Sequence, residues 1–382
     1  VEMLPGGSLI MQKPFDDYFN SRSVLVTGHT GFKGSWLCAW LSSLGAEVHG
    51  YALAPPSTPS LFQQAGLESQ LASHTIADIR YYDRLLDTMQ RTRPEIVFHL
   101  AAQPLVLTSY EQPLATLDTN IMGTANLLEA VRQVDSVRVC QIITSDKCYE
   151  NREWAYGYRE TDPMGGHDPY SSSKACAELV AAAYRNSYFT GPEQHSASIA
   201  TVRAGNVIGG GDWAENRIVP DCIRALADNR RIDIRRPGAI RPWQHVLEPL
   251  SGYLMLAARQ ATDPYTYSVP WNFGPLCGGA KSVQELVQTL VHCWGSGHWT
   301  AQEDSVQGHE AGLLQLDCTK ANTLLNWSPV LSFSESVDWS VRWYKSVLQQ
   351  PSLAYHGMSE QIGDYCQLAA SHGQHWAIQE AA

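Results

Sequence analysis

Through its first half the chain alternates short apolar runs with longer stretches of helical spacing, and this pattern limits the fold more than any other feature. Val24-Leu25-Val26 reads as a strand, Gly31 to Ser43 as a helix, and Glu47 to Tyr51 as a second strand. A loop rich in proline and serine follows at Pro55 to Ser60, then a strand at Ile96 to Leu100 between Pro94 and Pro104. Apolar residues at Leu117, Ile121, Met122, Ala125, Leu128 and Val131 form a helical stripe over Leu117 to Val134. Val137 to Thr144 reads as a strand, Pro169 to Tyr188 as a helix and Ser198 to Val202 as a strand again. Strands separated by helices imply a parallel sheet covered on both faces, because parallel neighbours need crossover connections. The fold class expected is α/β. Ligands bind such sheets outside the carboxyl ends of the strands, so site residues are expected just after strands.

Beyond about residue 205 the pattern loosens. Gly209-Gly210-Gly211, Pro237, Pro242, Pro270 and Pro275 punctuate shorter elements, as expected of a smaller, loop-rich C-terminal substrate lobe. The division expected is 21-205 plus 241-272 for the sheet domain, 206-240 plus 273-350 for the lobe, and 351-382 for a C-terminal tail. At 382 residues and 44% hydrophobic, the chain carries enough apolar material for a large core. Its 27 Lys and Arg against 38 Asp and Glu leave a net charge of −11, which argues against nucleic-acid binding. No apolar run approaches the ~18 residues of a membrane span, so no membrane association is expected. Charges together with Pro5 and Pro14 interrupt Val1 to Asn20 where a secretory signal needs a sustained apolar stretch. The nine cysteines are scattered with no C-x-x-C pair, so neither disulfides nor a metal site is expected, and a reducing cytoplasm is.

Gly28-His29-Thr30-Gly31-Phe32-Lys33-Gly34 follows the first strand and opens a helix. Glycine permits a tight turn and close approach of backbone to a pyrophosphate, whose charge then faces helix N-terminal amides. The expected architecture is thus a Rossmann-type doubly wound parallel sheet with a dinucleotide on this turn. The spacing is G-x-x-G-x-x-G, and no G-K-[ST] ending marks a triphosphate loop. Val48-His49-Gly50-Tyr51-Ala52-Leu53 offers no carboxylate for a ribose 2′-hydroxyl, which predicts weak NAD retention or tolerance of NADP. His29 and Lys33 read either as cations assisting a phosphate or as solvated loop side chains. Asp78, beside Ile79, reads either as a carboxylate near the adenine or as a turn aspartate. Leu100-Ala101-Ala102 offers small residues for close passage of the cofactor.

Tyr170 and Lys174 stand four apart on a predicted helix and share one face. A nearby ammonium favours phenolate, drawing a phenol of pKa ~10 towards useful base strength. Of the 17 tyrosines, Tyr170 alone has lysine at +4. Thr144-Ser145-Asp146-Lys147 ends the Val137 strand. In a continuing strand Asp146 and Lys147 would point to opposite faces, so a shared substrate requires the backbone to bend there.

These motifs resemble the extended branch of the short-chain dehydrogenase/reductase superfamily, and within it the CDP-glucose 4,6-dehydratases. The resemblance rests on the glycine turn through Ser35-Trp36, Ala101-Ala102-Gln103-Pro104-Leu105-Val106, and Thr144-Ser145-Asp146-Lys147-Cys148-Tyr149-Glu150-Asn151. Gly165-Gly166-His167-Asp168-Pro169-Tyr170 and Arg241-Pro242-Trp243-Gln244-His245-Val246 extend it over roughly residues 22 to 345. It implies NAD held by Gly28, His29, Gly31, Phe32, Lys33, Gly34, Asp78, Ile79, Leu100, Ala101, Ala102, Tyr170 and Lys174. The nucleotide-sugar substrate, a CDP-hexose, falls to Gln103, Asn120, Asn206, Arg217 and Arg241, with Asn120 reading equally as a support of the active-site water network or as a helix-packing residue. The resemblance also implies a homodimer through Leu117–Val134 and Pro169–Tyr188, and a place in deoxysugar synthesis for polysaccharide.

The reaction so implied is an internal redox cycle. Tyr170 takes the 4-hydroxyl proton as hydride leaves C4, with Lys174 and Ser145 assisting; the 4-ketone acidifies C5–H; Lys147 removes that proton and Asp146 protonates the departing 6-hydroxyl. Lysine must then be neutral and aspartate protonated, and a dry site moves each that way. A 4-epimerase or reductase of the same superfamily needs neither Asp146 nor Lys147, and leaves substrate mass without loss of water. A non-catalytic NAD-binding sensor would bind cofactor without turnover.

Overall fold

The computed structural model describes residues 14–189, 197–275, 280–301 and 312–378; the N-terminal stretch read above lies outside them as far as residue 13. Seven strands form the central sheet: β1 (Ser23–Thr27), β2 (Glu47–Ala52), β3 (Ser73–Ile76), β4 (Ile96–His99), β5 (Val139–Ile143), β6 (Ser198–Ala204) and β7 (Pro270–Phe273). They run in the order β7-β6-β5-β4-β1-β2-β3, every pair parallel. The order reverses beside β1, which opens a crevice between β1 and β4 at their carboxyl ends.

Strands covered on both faces must be apolar on both, and Val24, Leu25 and Val26 of β1 are all fully buried. Helices α1 (Phe32–Ser43), α2 (Tyr82–Thr92), α3 (Gly123–Gln133) and α4 (Pro169–Tyr188) belong to the first half. Leu85, Met89, Leu127, Leu128, Val131 and Ala181, from α2, α3 and α4, pack with Leu25 and Val97 on one face. Val24 and Val26 face the other side, against Trp36, Leu37 and Trp40 of α1. That larger core also takes in α5 (Ile218–Ala227), α6 (Leu247–Thr262), α7 (Val283–Trp294) and α8 (Phe333–Gln349).

Helix α4 begins where Asp168 accepts a 2.9 Å hydrogen bond from the Ser171 amide with Pro169 at the first helical position, a start that places Tyr170 in its first turn. The helix expected over Leu117 to Val134 starts earlier, at Pro113–Leu117, and passes through a π-turn at Asp118–Met122 before α3. The segment expected as a tail is instead part of the core. Its helix α9 (Ala354–Ser371) buries Met358, Ile362, Tyr365 and Ala369 along one stripe and packs on α1 and α8. Beyond it Trp376 stacks on Phe15 with ring centroids 4.8 Å apart. Among the described residues no helix is long and apolar enough to cross a membrane.

Candidate active site

A cleft of about 1020 Å³ runs along the carboxyl ends of the central strands. Its floor is the turn after β1. Gly28 has φ 75°, and a Cβ there would stand 2.7 Å from the Ala101 amide, so the turn lies directly on the loop after β4. Gly31 caps α1 without a side-chain acceptor, and the first-turn residues Phe32, Lys33 and Gly34 line the cleft. Amides at an uncapped helix start are a ready anion site. Leu100, Ala101 and Ala102 line one wall, and Asp78 and Ile79 the far end. Asp78 is both a turn aspartate and a cleft residue: Oδ1 accepts from the Arg80 amide at 2.9 Å and Oδ2 pairs with its guanidinium at 2.6 Å. Those bonds hold its carboxyl below the usual range. The residues present therefore fit a dinucleotide, with bare backbone and helix amides for a diphosphate and small residues beside its path.

Three of the expected site side chains lie off the cleft lining. His29 does not face the cleft; it is buried beside Phe62 and His74, with ring centroids 5.2 and 5.6 Å away. Burial and His74 push it down to about 4, so it is a neutral packing residue rather than a phosphate cation. Gln103 and Asn120 are not on the cleft wall either. The Gln103 amide donates to Asn120 Oδ1 at 2.8 Å, and Asn120 Nδ2 donates to Ser173 Oγ at 2.8 Å and to the Gln103 carbonyl at 3.1 Å. Gln103 Nε2 turns to the Leu105 carbonyl and Thr116. Both side-chain amides brace the β4 loop, and Asn120 ties it to α4 through Ser173, in the packing role the sequence also allowed.

The groups expected to react gather near the end of β5. After Thr144 the chain bends into a 3-10 turn at Asp146–Cys148, capped by Ser145, whose Oγ accepts from the Lys147 amide at 3.2 Å and donates to Asp146 Oδ1 at 3.0 Å. The bend brings Ser145, Asp146 and Lys147 into one cleft with Tyr170 and Lys174. Asp146 is buried, and its Oδ2 has no hydrogen-bond partner. Burial raises its carboxyl above the ordinary value, with the Lys147 charge opposing. Among the described residues no ion pair joins Asp146 to Lys147. Gly205 makes room for the carboxylate: a Cβ there would lie 2.5 Å from Pro242 Cγ and 3.3 Å from Asp146 Oδ2.

Tyr170 also departs from expectation. Burial pushes its phenol up to about 12, and the Ser145 hydroxyl bonded to it is the strongest opposing influence. The Lys174 ammonium donates to the Ile143 carbonyl at 3.2 Å, and burial lowers it to about 8 against the pull of Glu178. Lys33 is half-buried on the cleft wall; desolvation there, with Arg217 and Lys174 nearby, takes it down to about 7.

Asn206, Arg217 and Arg241 line the far half of the cleft. Arg217 pairs with Asp212 at 3.0 Å, and Arg241 is buried with Nη1 donating to the Ile240 carbonyl at 2.8 Å. The sequence reading missed the other cations there: Arg224, Arg230, Arg231, Arg235 and Arg236 also reach the lining. The paired arginines at 230–231 and 235–236 were the available signal, a basic run in an acidic chain. The assembled site has a dinucleotide floor, a phenol and ammonium on one helix, a neutral-leaning acid beside an amine, and a cationic wall suited to a diphosphate.

Fold and site together define a dinucleotide-dependent enzyme of the extended short-chain dehydrogenase/reductase type. The GDP-mannose 4,6 dehydratase family model matches residues 25–339, and the chain belongs to that family. It is 50% identical over 351 residues to the CDP-glucose 4,6-dehydratase of Salmonella typhimurium, covering 91% of this chain and 97% of that relative. Among solved structures, an epimerase of Methanothermobacter thermautotrophicus superposes with a TM-score of 0.76 at 22% identity, covering 88% of this chain and 96% of its own. A dTDP-glucose 4,6-dehydratase of Streptomyces venezuelae, solved with NAD bound, gives 0.71 at 22% identity over 85% and 97%. These two likenesses concern the fold.

Proposed function

We propose that this chain dehydrates CDP-D-glucose to CDP-4-keto-6-deoxy-D-glucose and water, using NAD held on the glycine turn. The observation that carries the reading is the bend after β5, which sets an acid and an amine at adjacent positions beside Tyr170. The likeness to the Salmonella relative supports the choice of substrate.

Gly28, the first-turn amides of α1, Ala101 and Asp78 would hold NAD, which would supply the hydride acceptor for C4 and donor for C6. The chain's own residues do the rest. Tyr170 takes the 4-hydroxyl proton, and Ser145, hydrogen-bonded to both Tyr170 and Asp146, steadies the developing carbonyl oxygen. Lys147 removes the C5 proton made acidic by the ketone and, after exchange with solvent, returns a proton to C5 when C6 is reduced. Asp146, which burial keeps disposed to hold its proton, delivers one to the leaving 6-hydroxyl. Lys174 anchors the cofactor ribose, and Arg217, Arg241 and Asn206 hold the diphosphate. The lobe is proposed to comprise 206–240 with 273–350.

The enzyme is proposed to be a homodimer joined through α4 and the helical stretch ending in α3, where Leu114, Met122 and Leu179 are exposed. A reducing cytoplasm is proposed with it, in keeping with the eight described cysteines, all free thiols. The test is incubation with CDP-, TDP-, UDP- and GDP-hexoses and mass spectrometry of the products. Loss of one water from CDP-glucose, with one deuterium gained from heavy water at C5, is the expected result. An unchanged mass for every hexose would overturn the reading.

A further inference from the structure

We propose that the buried Glu178–Arg203 pair is a clamp that fixes the Ser145–Lys147 turn from both of its flanks, making Glu178 and Arg203 positioning residues for the elimination; the catalytic consequence rests on the function proposed above. Neither residue touches the cleft. Their side chains are 3% and 1% exposed, and the guanidinium meets the carboxylate fork to fork, Nε to Oε1 and Nη2 to Oε2 both at 2.8 Å. Burial alone would raise the Glu178 carboxyl, but the Arg203 guanidinium holds it below its ordinary value. An enclosed ion pair adds little net stability over a well-packed apolar pair, so its worth lies in what it holds in place.

What it holds is the turn. On the upstream side Thr144, next to Ser145, donates its hydroxyl to Glu178 Oε1 at 2.5 Å. On the downstream side Arg203 Nη1 donates to the Tyr149 hydroxyl at 2.6 Å, and that hydroxyl donates onward to Asn272 Oδ1 of β7 at 2.8 Å. The three residues bearing Oγ, carboxyl and ammonium thus lie on a short arch pinned at both feet. Those feet are tied to α4, β6 and β7, which also carry or support Tyr170 and Lys174. Displacing reacting groups by ~1 Å costs up to about 10²-fold in rate, so such pinning has a kinetic effect.

Glu178 accepts a fourth hydrogen bond that supplies the control. Thr201 on β6 donates to Oε2 at 2.6 Å, a bond of the same chemistry and burial as that from Thr144 but away from the arch. Thr144→Val, Tyr149→Phe and Thr201→Val each remove one hydroxyl and leave the ion pair intact, so all three are expected to fold. For each, thermal midpoint, kcat and KM on CDP-glucose, reduced-nicotinamide absorbance during turnover, and amide hydrogen exchange without substrate are measured.

Thr144→Val and Tyr149→Phe are expected to lower kcat about tenfold at unchanged KM. Reduced cofactor should build up because oxidation outruns elimination, and the amides of 145–148 should exchange faster. Thr201→Val is expected to lose similar thermal stability yet keep kcat within about twofold and the protection of the arch. Equal losses of kcat in Thr144→Val and Thr201→Val, or unaltered exchange at 145–148 in all three, would overturn the clamp. A wild type that dehydrates no CDP-glucose would instead sink the functional reading, and the exchange comparison would still decide the clamp.

Discussion

At the scale of single residues, the site divides its labour between two helical starts and one bent strand end. Tyr170 and Lys174 come from α4, Ser145, Asp146 and Lys147 from the bend, and the two groups are separable by mutation. Lys147→Met should leave reduction of bound cofactor by substrate intact while abolishing deuterium entry at C5; unchanged exchange would remove Lys147 from the role of base. Asp146→Asn should lower kcat by about 10²–10⁴-fold, since an amide cannot replace a proton donor, with steady-state kinetics as the check. The pH profile should fall on its alkaline side: Asp146 must keep its raised proton, and Lys174, at about 8, loses its charge above that pH. A kcat/KM that stays level to pH 10 (roughly the ordinary lysine value) would contradict that assignment. The spacing of Tyr170 and Lys174 was legible in the sequence because a helix turns i and i+4 to one face. The destinations of His29, Gln103 and Asn120 were not, because a loop residue's side chain is aimed by tertiary neighbours such as Phe62 and Ser173.

At the scale of elements, apolar runs and spacing located β1, β2, β4, β5, β6 and α4 closely, while α1, buried over Gly34 to Leu41, was placed by the glycine turn that opens it. The π-turn was invisible because the apolar spacing runs on without a break, although Leu117, Ile121 and Ala125 are half-buried and Met122 exposed, whereas Leu128 and Val131 beyond the turn are buried. Helix α9 was overlooked although Met358, Ile362, Tyr365 and Ala369 mark a helical stripe; its exposed faces are polar, and only packing on α1 gives the stripe a purpose. That docking has a pH-sensitive tie. Glu248 on α6 is fully buried and accepts from the Val330 and Leu331 amides at 3.0 and 2.6 Å and from the Tyr365 hydroxyl at 2.7 Å. Burial outweighs these donors and raises its carboxyl to about 7. A group whose pKa is raised on folding favours the fold below its unfolded value, near 4.5, and that contribution is lost as pH rises through about 7. Relative to Glu248→Gln, the wild type should therefore lose on the order of 3 kcal/mol between those limits. Denaturant midpoints across the pH series measure it; a wild type that gains on the variant with rising pH would mean the three donors keep Glu248 ionised.

At the scale of the whole molecule, one surface remains unexplained by the monomer's own packing. Leu114 is 81% exposed, Leu179 60% and Met122 51%, and all three sit on neighbouring helical stretches, with Leu117, Ile121 and Ala125 half-buried between them. Scattered apolar residues need no explanation; an apolar strip across packed helices is what the proposed homodimer would cover. The same α4 that displays Leu179 outward turns Tyr170, Lys174 and Glu178 inward, so a partner seated there would brace the helix that carries half the chemistry. Two such helices and their mates meeting about a two-fold axis make a self-complementary contact. Leu179→Glu would put a charge into that proposed contact at small cost to a lone protomer, whose Leu179 is largely exposed. The expected outcome is halving of the light-scattering mass at micromolar concentration, with kcat reduced less than the mass change alone would predict if each cleft is complete within one chain. A wild type already monomeric, or a variant that keeps the dimer mass, would assign the strip to some other contact.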